Sequence, residues 1–392
     1  MMDSEIQAPD RQAASAGTEP AQSASGSAPG RAHGTGPAQG DTLRRIFLGP
    51  QGLRAGWSVV LLFLLMLAFE WAFFAAGSWF ANAALHRSLD TKEGMTPFTG
   101  IFREAISLLA LISAAAVVAL IERRRILDYN LRGPRRVSRF ISGLITGFAA
   151  LSALVGVLYL GGWIHFGPVA LHGSMIARYA AIWAVAFLLV GLTEEGLCRC
   201  FLQFTLTRGM NFWWAAGLLA LLCAVLIPQF KNEAAWGVWI FAVPGILHCL
   251  WLERTQSAQR AFWYAAWTIS AFFGAMHVSN PGESWAGILC AAAVGLVFAG
   301  SIRLTGSAWW AIGCHAAWDW AETFFFGTAD SGLTARGHFL TTTPSGAALW
   351  SGGTDGPEGS LLALLVLALI CAVLLLQYGR RKQAQALESV ST

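Results

Sequence analysis

The chain has 392 residues, 55% hydrophobic and only 12% charged, about half the charged share of an ordinary soluble domain. With 18 Trp and 25 Phe, that composition excludes a soluble globular protein and makes the bilayer its solvent. The net charge of +4 gives no reason to expect a nucleic-acid partner; membrane lipids are the first partner implied.

Residues 1–43 are rich in Ala, Gly, Ser, Pro and Gln, with almost no large apolar side chain, and are predicted to be a disordered polar tail. Ten apolar segments follow: Trp57–Phe80, Glu104–Ile121, Phe140–His165, Tyr179–Arg199, Phe212–Pro228, Ala235–Leu252, Ala261–His277, Trp285–Ile302, Ser307–Phe326 and Ser360–Tyr378. Basic residues alternate between the connections. Arg44, Arg45 and Arg54 precede the first segment, and seven arginines from Arg123 to Arg139 separate the second and third. Arg208, Arg254, Arg260 and Arg303 follow even-numbered segments, and Arg380, Arg381 and Lys382 follow the tenth. The positive-inside rule places all of them on one side. The predicted fold is therefore an all-α polytopic transmembrane helix bundle of about ten spans, with both termini cytoplasmic. Residues 44–139 form an N-terminal hairpin with a basic cytoplasmic loop. Residues 327–359 form a Gly/Thr/Ser-rich extracytoplasmic loop, and 360–392 a last span and tail. All seven cysteines lie in or beside apolar runs, which argues against a disulfide framework.

An ionisable side chain at the centre of a membrane helix costs about 2.5–3.5 kcal/mol on insertion scales, so each needs a reason. Three clusters stand out. Glu194-Glu195-x-x-x-Arg199 closes the fourth segment. Glu195 and Arg199 share a helix face and can neutralise each other, while Glu194 points elsewhere and is free to act as a base. Phe273-x-x-x-His277 closes the seventh, with the ring placed to pack beside the imidazole. His315-x-x-x-Asp319, with Glu322 one turn on, repeats at helical spacing; a carboxylate four residues from a histidine suits acid–base or metal chemistry. The plainer alternatives are an interfacial Glu/Arg cluster, a structural histidine and a polar stripe joining helices. Glu70 and His248 stand alone and read as packing or lumen-facing residues.

The three motifs, in this order and on separate helices, resemble those of the CAAX-protease and bacteriocin-processing (CPBP) family, which includes the type II CAAX prenyl endopeptidases. The resemblance covers residues 140–326, with an apparent inserted hairpin at about 212–252. Two features depart from the family pattern: Cys200 stands where it usually has Gly, and Glu195 and His277 are 82 positions apart, more than is usual. The resemblance implies hydrolysis of a peptide bond in a membrane-tethered or prenylated substrate. Glu194 would activate water with His277 as its partner, and His315 and Asp319 would bind water or stabilise the oxyanion. Glu195 and Arg199 would hold the site together, supported by Phe273 and Glu322. A zinc ion on His277 and His315, and a mechanism with no metal, both remain open at this point. The expected location is a bacterial cytoplasmic membrane. The rivals are a non-proteolytic scaffold or bacteriocin-immunity protein and, less favoured for want of internal repeats, a transporter. The segment count places Glu194 near the inner end of its helix and His277 near the outer end of its own, so they meet only if a helix is broken, re-entrant or shifted in depth.

Overall fold

The computed structural model describes residues 44–49, 52–86, 96–229 and 235–379. The predicted polar tail and the basic run Arg380, Arg381, Lys382 lie outside the described residues. Each of the ten apolar segments contains a helix: α1 Ala55–Leu85, α2 Pro97–Ile121, α3 Arg136–Leu160, α4 Ser174–Glu195, α5 Phe212–Leu226, α6 Ala235–Arg254, α7 Arg260–Met276, α8 Trp285–Thr305, α9 Trp309–Asp319 and α10 Leu362–Leu374. Six helical stretches, those of α1, α2, α3, α4, α8 and α10, are long and apolar enough to cross a membrane. The helix α5 is apolar but shorter, and α7 and α9 have 17 and 11 residues.

The fourth segment corrects the expected boundary. Its helix does not stop at Arg199 but runs on through a π-helical stretch, Gly196–Leu202, to Thr207. The charged Arg199 made this look like a helix end; it is instead buried. Glu194 therefore sits well inside a 34-residue helix, not at its inner end. A second π-helical stretch, Trp320–Phe326, continues α9. Such bulges insert a residue into a turn and re-aim the side chains around them.

Close backbone packing fixes α9 against α3. A Cβ on Gly143 would lie 2.2 Å from the Trp310 carbonyl oxygen, one on Gly147 2.1 Å from that of Cys314, and one on Gly313 2.3 Å from that of Phe140. Only glycine permits this approach at the three positions. The long apolar side chains Leu151, Leu154 and Leu158 of α3, with Phe298 and Trp310, fill the core beside this seam.

The Arg-rich end of the bundle is closed by one buried acid. Glu122, just past α2, has a fully buried side chain. Arg208 donates to both of its oxygens, at 2.9 and 2.8 Å. Arg124 Nε lies 3.2 Å away, and the Ser58 hydroxyl of α1 donates to Oε1. At the opposite end, Ile164–Phe166 pairs antiparallel with Thr342–Pro344, which ties the long connection after α9 to the end of α3. That connection also carries short helical turns at Ala348–Ser351 and Pro357–Gly359.

Candidate active site

The motif residues from three separate helices meet at one cavity of about 220 Å³, lined among others by Glu194, His277, His315 and Asp319. Glu194, inside the extended α4 helix, lines the same cavity as the other three.

His315 is held from both sides. Its Nδ1 lies 3.0 Å from Glu195 Oε1, while Nε2 faces Asp319 Oδ2 at 3.3 Å and Glu194 Oε2 at 3.8 Å. The ring also stacks on Phe298 and meets the edge of Phe273, with centroids 5.8 and 6.0 Å apart. His277, at the end of α7, is fixed by its own helix: Nδ1 lies 2.8 Å from the Phe273 carbonyl oxygen. A carbonyl can only accept, so the proton is on Nδ1 and Nε2 is left for the cavity. Phe273 packs against His277 as its spacing predicts, with centroids 5.0 Å apart.

Glu195 and Arg199 are both fully buried, and Arg199 Nε lies 3.3 Å from Glu195 Oε2. The contact is ionic rather than hydrogen-bonded: neither that oxygen nor any guanidinium nitrogen has a hydrogen-bond partner among the described residues. The guanidinium instead lies over Phe273 and Phe298, at 4.5 and 5.6 Å from the ring centroids, where a desolvated cation–π contact is worth about 2 kcal/mol. Gly295 makes the room, since a Cβ there would lie 2.9 Å from Arg199 Nη2. Glu195 thus does two things, pairing with Arg199 and orienting His315, of which the sequence spacing shows only the first.

Glu194 contrasts with it. Its side chain is 27% exposed, it lines the cavity, and its Oε2 has no hydrogen-bond partner among the described residues. Glu322 departs from the expected stripe. It lies in the π-helical stretch, does not line this cavity, and stands with Asp330 and Glu358. Those three form the group of metal-ligand type found within coordination distance among the described residues, and it includes neither His277 nor His315.

Sequence reasoning missed Glu104 of α2 and the loop residues Asp330 and Glu358, all of which line the cavity. Glu104 had a signal, being a carboxylate at the start of an apolar run; the loop acids had none, because they sit in turn-rich sequence. The connection after α9 and the turn between α7 and α8, joined by hydrogen bonds from Ser284 to Asp355, carry several acids. Burial pushes the Glu283 carboxyl up to about 10 and that of Asp355 up to about 7, and neighbouring carboxylates add in the same direction.

Fold and site together define a polytopic helical membrane protein with a glutamate–histidine centre enclosed between its helices. A family model described as Type II CAAX prenyl endopeptidase Rce1-like matches residues 176–259 and 254–321, a range that includes all three motifs. Over residues 176–321 the chain matches this family, as its motifs indicate, and the family implies a membrane-embedded hydrolase of the protease class. No curated protein and no solved structure was found to match the chain.

Proposed function

We propose that the chain is an intramembrane endopeptidase that cleaves a membrane-tethered or prenylated peptide with water activated by Glu194. The observation that carries this reading is the convergence of Glu194, His277, His315 and Asp319 on one cavity. Of the two motif carboxylates that line the cavity, Glu194 is the more exposed, and its Oε2 has no hydrogen-bond partner among the described residues. It takes a proton as the water oxygen bonds to the scissile carbonyl carbon. Nε2 of His277, which carries no proton, accepts a hydrogen bond from the same water and helps to orient it, and the His315–Asp319 pair flanks the oxygen on which negative charge develops. Collapse of the tetrahedral intermediate breaks the C–N bond, and the proton held by Glu194 passes to the leaving nitrogen. Glu195 and Arg199 hold His315 and α4 in place.

The reading routes no step through a metal. Nδ1 of His315 faces Glu195 and Nε2 faces Asp319, so the ring is already engaged at both nitrogens. That leaves His277 and Glu194, fewer than the three protein ligands of a catalytic zinc site. Activity is therefore expected not to depend on zinc. Loss on chelation with recovery on adding zinc would overturn this part.

The Arg asymmetry supports ten spans with both termini cytoplasmic, in a bacterial cytoplasmic membrane. A reporter fused at Gly332 should respond as extracytoplasmic; a cytoplasmic response would sink that topology. The test of function is cleavage of membrane-tethered and prenylated peptides by purified protein, wild type against Glu194→Ala. Equal turnover by the two would favour the scaffold or immunity reading.

A further inference from the structure

A second group of ionisable side chains stands at the outer face of the cavity, apart from the catalytic motifs. Glu322 comes from the π-helical stretch after α9, and Asp330 and Glu358 from the two ends of the outer connection. One oxygen from each lies within 4.8 Å of the others. Glu322 is fully buried, and neither of its carboxylate oxygens has a hydrogen-bond partner among the described residues. Buried polar atoms are almost always satisfied, so two open oxygens on one side chain call for a ligand. The other two acids are each oriented through one oxygen and keep the second available. Thr323 Oγ1 donates to Asp330 Oδ2 at 2.9 Å. The Ser331 backbone N–H donates to Glu358 Oε1 at 2.6 Å, and its hydroxyl donates to the same atom.

The backbone is shaped around the group. Gly356 has φ +117°, and a Cβ there would lie 2.2 Å from the Ala329 carbonyl oxygen and 3.1 Å from Glu322 Oε1. A side chain at this position would be strained and would crowd the carboxylate.

We propose that Glu322, Asp330 and Glu358 bind one hard divalent cation, of the Ca²⁺ or Mg²⁺ class, that fastens the outer connection to the end of α9. Three carboxylates with no nitrogen or sulfur donor suit a hard ion rather than zinc or copper. The cation supplies the charge that the trio lacks in the geometry described, and it links segments that the chain separates by about thirty residues. Asp330 and Glu358 also line the catalytic cavity, so the ion sets the position of that wall. This inference does not depend on the chain being a protease.

The experiment uses the full chain in detergent, stripped of metal with a chelator and then titrated separately with Ca²⁺, Mg²⁺ and Zn²⁺. Equilibrium dialysis with radioactive Ca²⁺ counts bound ions, and thermal unfolding reads stability. The expected result is one Ca²⁺ per chain and a Tm rise of about 2–4 °C with Ca²⁺ or Mg²⁺ near saturation. Glu358→Gln and Asp330→Asn should abolish both effects while unfolding cooperatively in chelator. No retained ion in the wild-type protein would overturn the proposal, with or without soluble variants. So would equal Ca²⁺ stabilisation of Glu358→Gln and wild type. A Tm rise in Glu322→Gln beside a cation-insensitive wild type would also overturn it, because it would show that the three acids share protons instead.

Discussion

Glu122 and Glu194 are both glutamates on the helical bundle, and their surroundings could hardly differ more. Both oxygens of Glu122 are taken by Arg208, with Arg124 and Ser58 alongside. Glu194 keeps a bare oxygen at the edge of a cavity. The first arrangement leaves nothing for a substrate to use, and its effect is to bind α1, α2 and the end of α4 together. The second is incomplete as structure but complete as chemistry. What separates Glu194 from Glu122 is both the open oxygen and access to the cavity: the Glu194 side chain is 27% exposed, that of Glu122 fully buried.

Substitutions should widen or erase that contrast. The largest effect is expected from Glu194→Gln, which keeps the shape and removes the base. Turnover should fall at least about 10²-fold, the scale of a lost general base, with yield and Tm unchanged. Undiminished turnover would remove Glu194 from the chemistry. Glu122→Gln should do the reverse. Leaving Arg208 and Arg124 without their acid should cost about 3 kcal/mol, the lower end for a broken buried pair because both arginines keep some solvent contact. Activity per folded molecule should hold, and a selective loss of turnover at normal Tm would contradict the comparison.

Glu195→Gln falls between the two, because that residue serves both purposes. It should lower yield through unpaired Arg199 and also slow turnover about 10-fold, as expected when a histidine loses the carboxylate that orients it. Adding Arg199→Gln should restore part of the yield but none of the rate. If the double variant regained both, the contact with His315 would be incidental. The smallest effect is assigned to Cys200→Gly, at the position where the family usually has glycine. Cys200 is buried, so about 1 kcal/mol of packing should be lost while specific activity stays near wild type. A collapse of activity there, absent in Cys198→Ala, would reveal a chemical role for that thiol.

The helices and the motif residues were legible because apolar length and i,i+4 spacing are local properties. Phe273 beside His277 and Glu195 beside Arg199 could be read directly from their spacing. The unread parts depend on tertiary structure. Arg199 suggested a helix end because nothing in its sequence shows that rings and backbone from distant helices enclose it. Glu195 meets His315 across 120 residues, and no spacing rule reports that. Glu322 was assigned to the wrong face because i+7 periodicity assumes a regular α-helix, and the π-helical turn changes the phase. His248, read as a packing or lumen-facing residue, accepts a 2.9 Å hydrogen bond from Trp267 Nε1, while Glu70 accepts one from Ser107 at 3.1 Å. Both bonds stitch neighbouring helices together.

The glycine seam between α3 and α9 also decides which parts of the molecule can move. Backbones in direct contact cannot slide or tilt without collision, since there is no flexible side chain between them to yield. Half of the reactive centre, His315 and Asp319, is thereby mounted on a fixed jaw. Relative motion within the centre must therefore come from the other elements that line the cavity, among them α2, the end of α7, α8 and α10. Bulkier residues at Gly143, Gly147 or Gly313 would not merely loosen a core: they would displace His315 and Asp319 relative to Glu194 and His277.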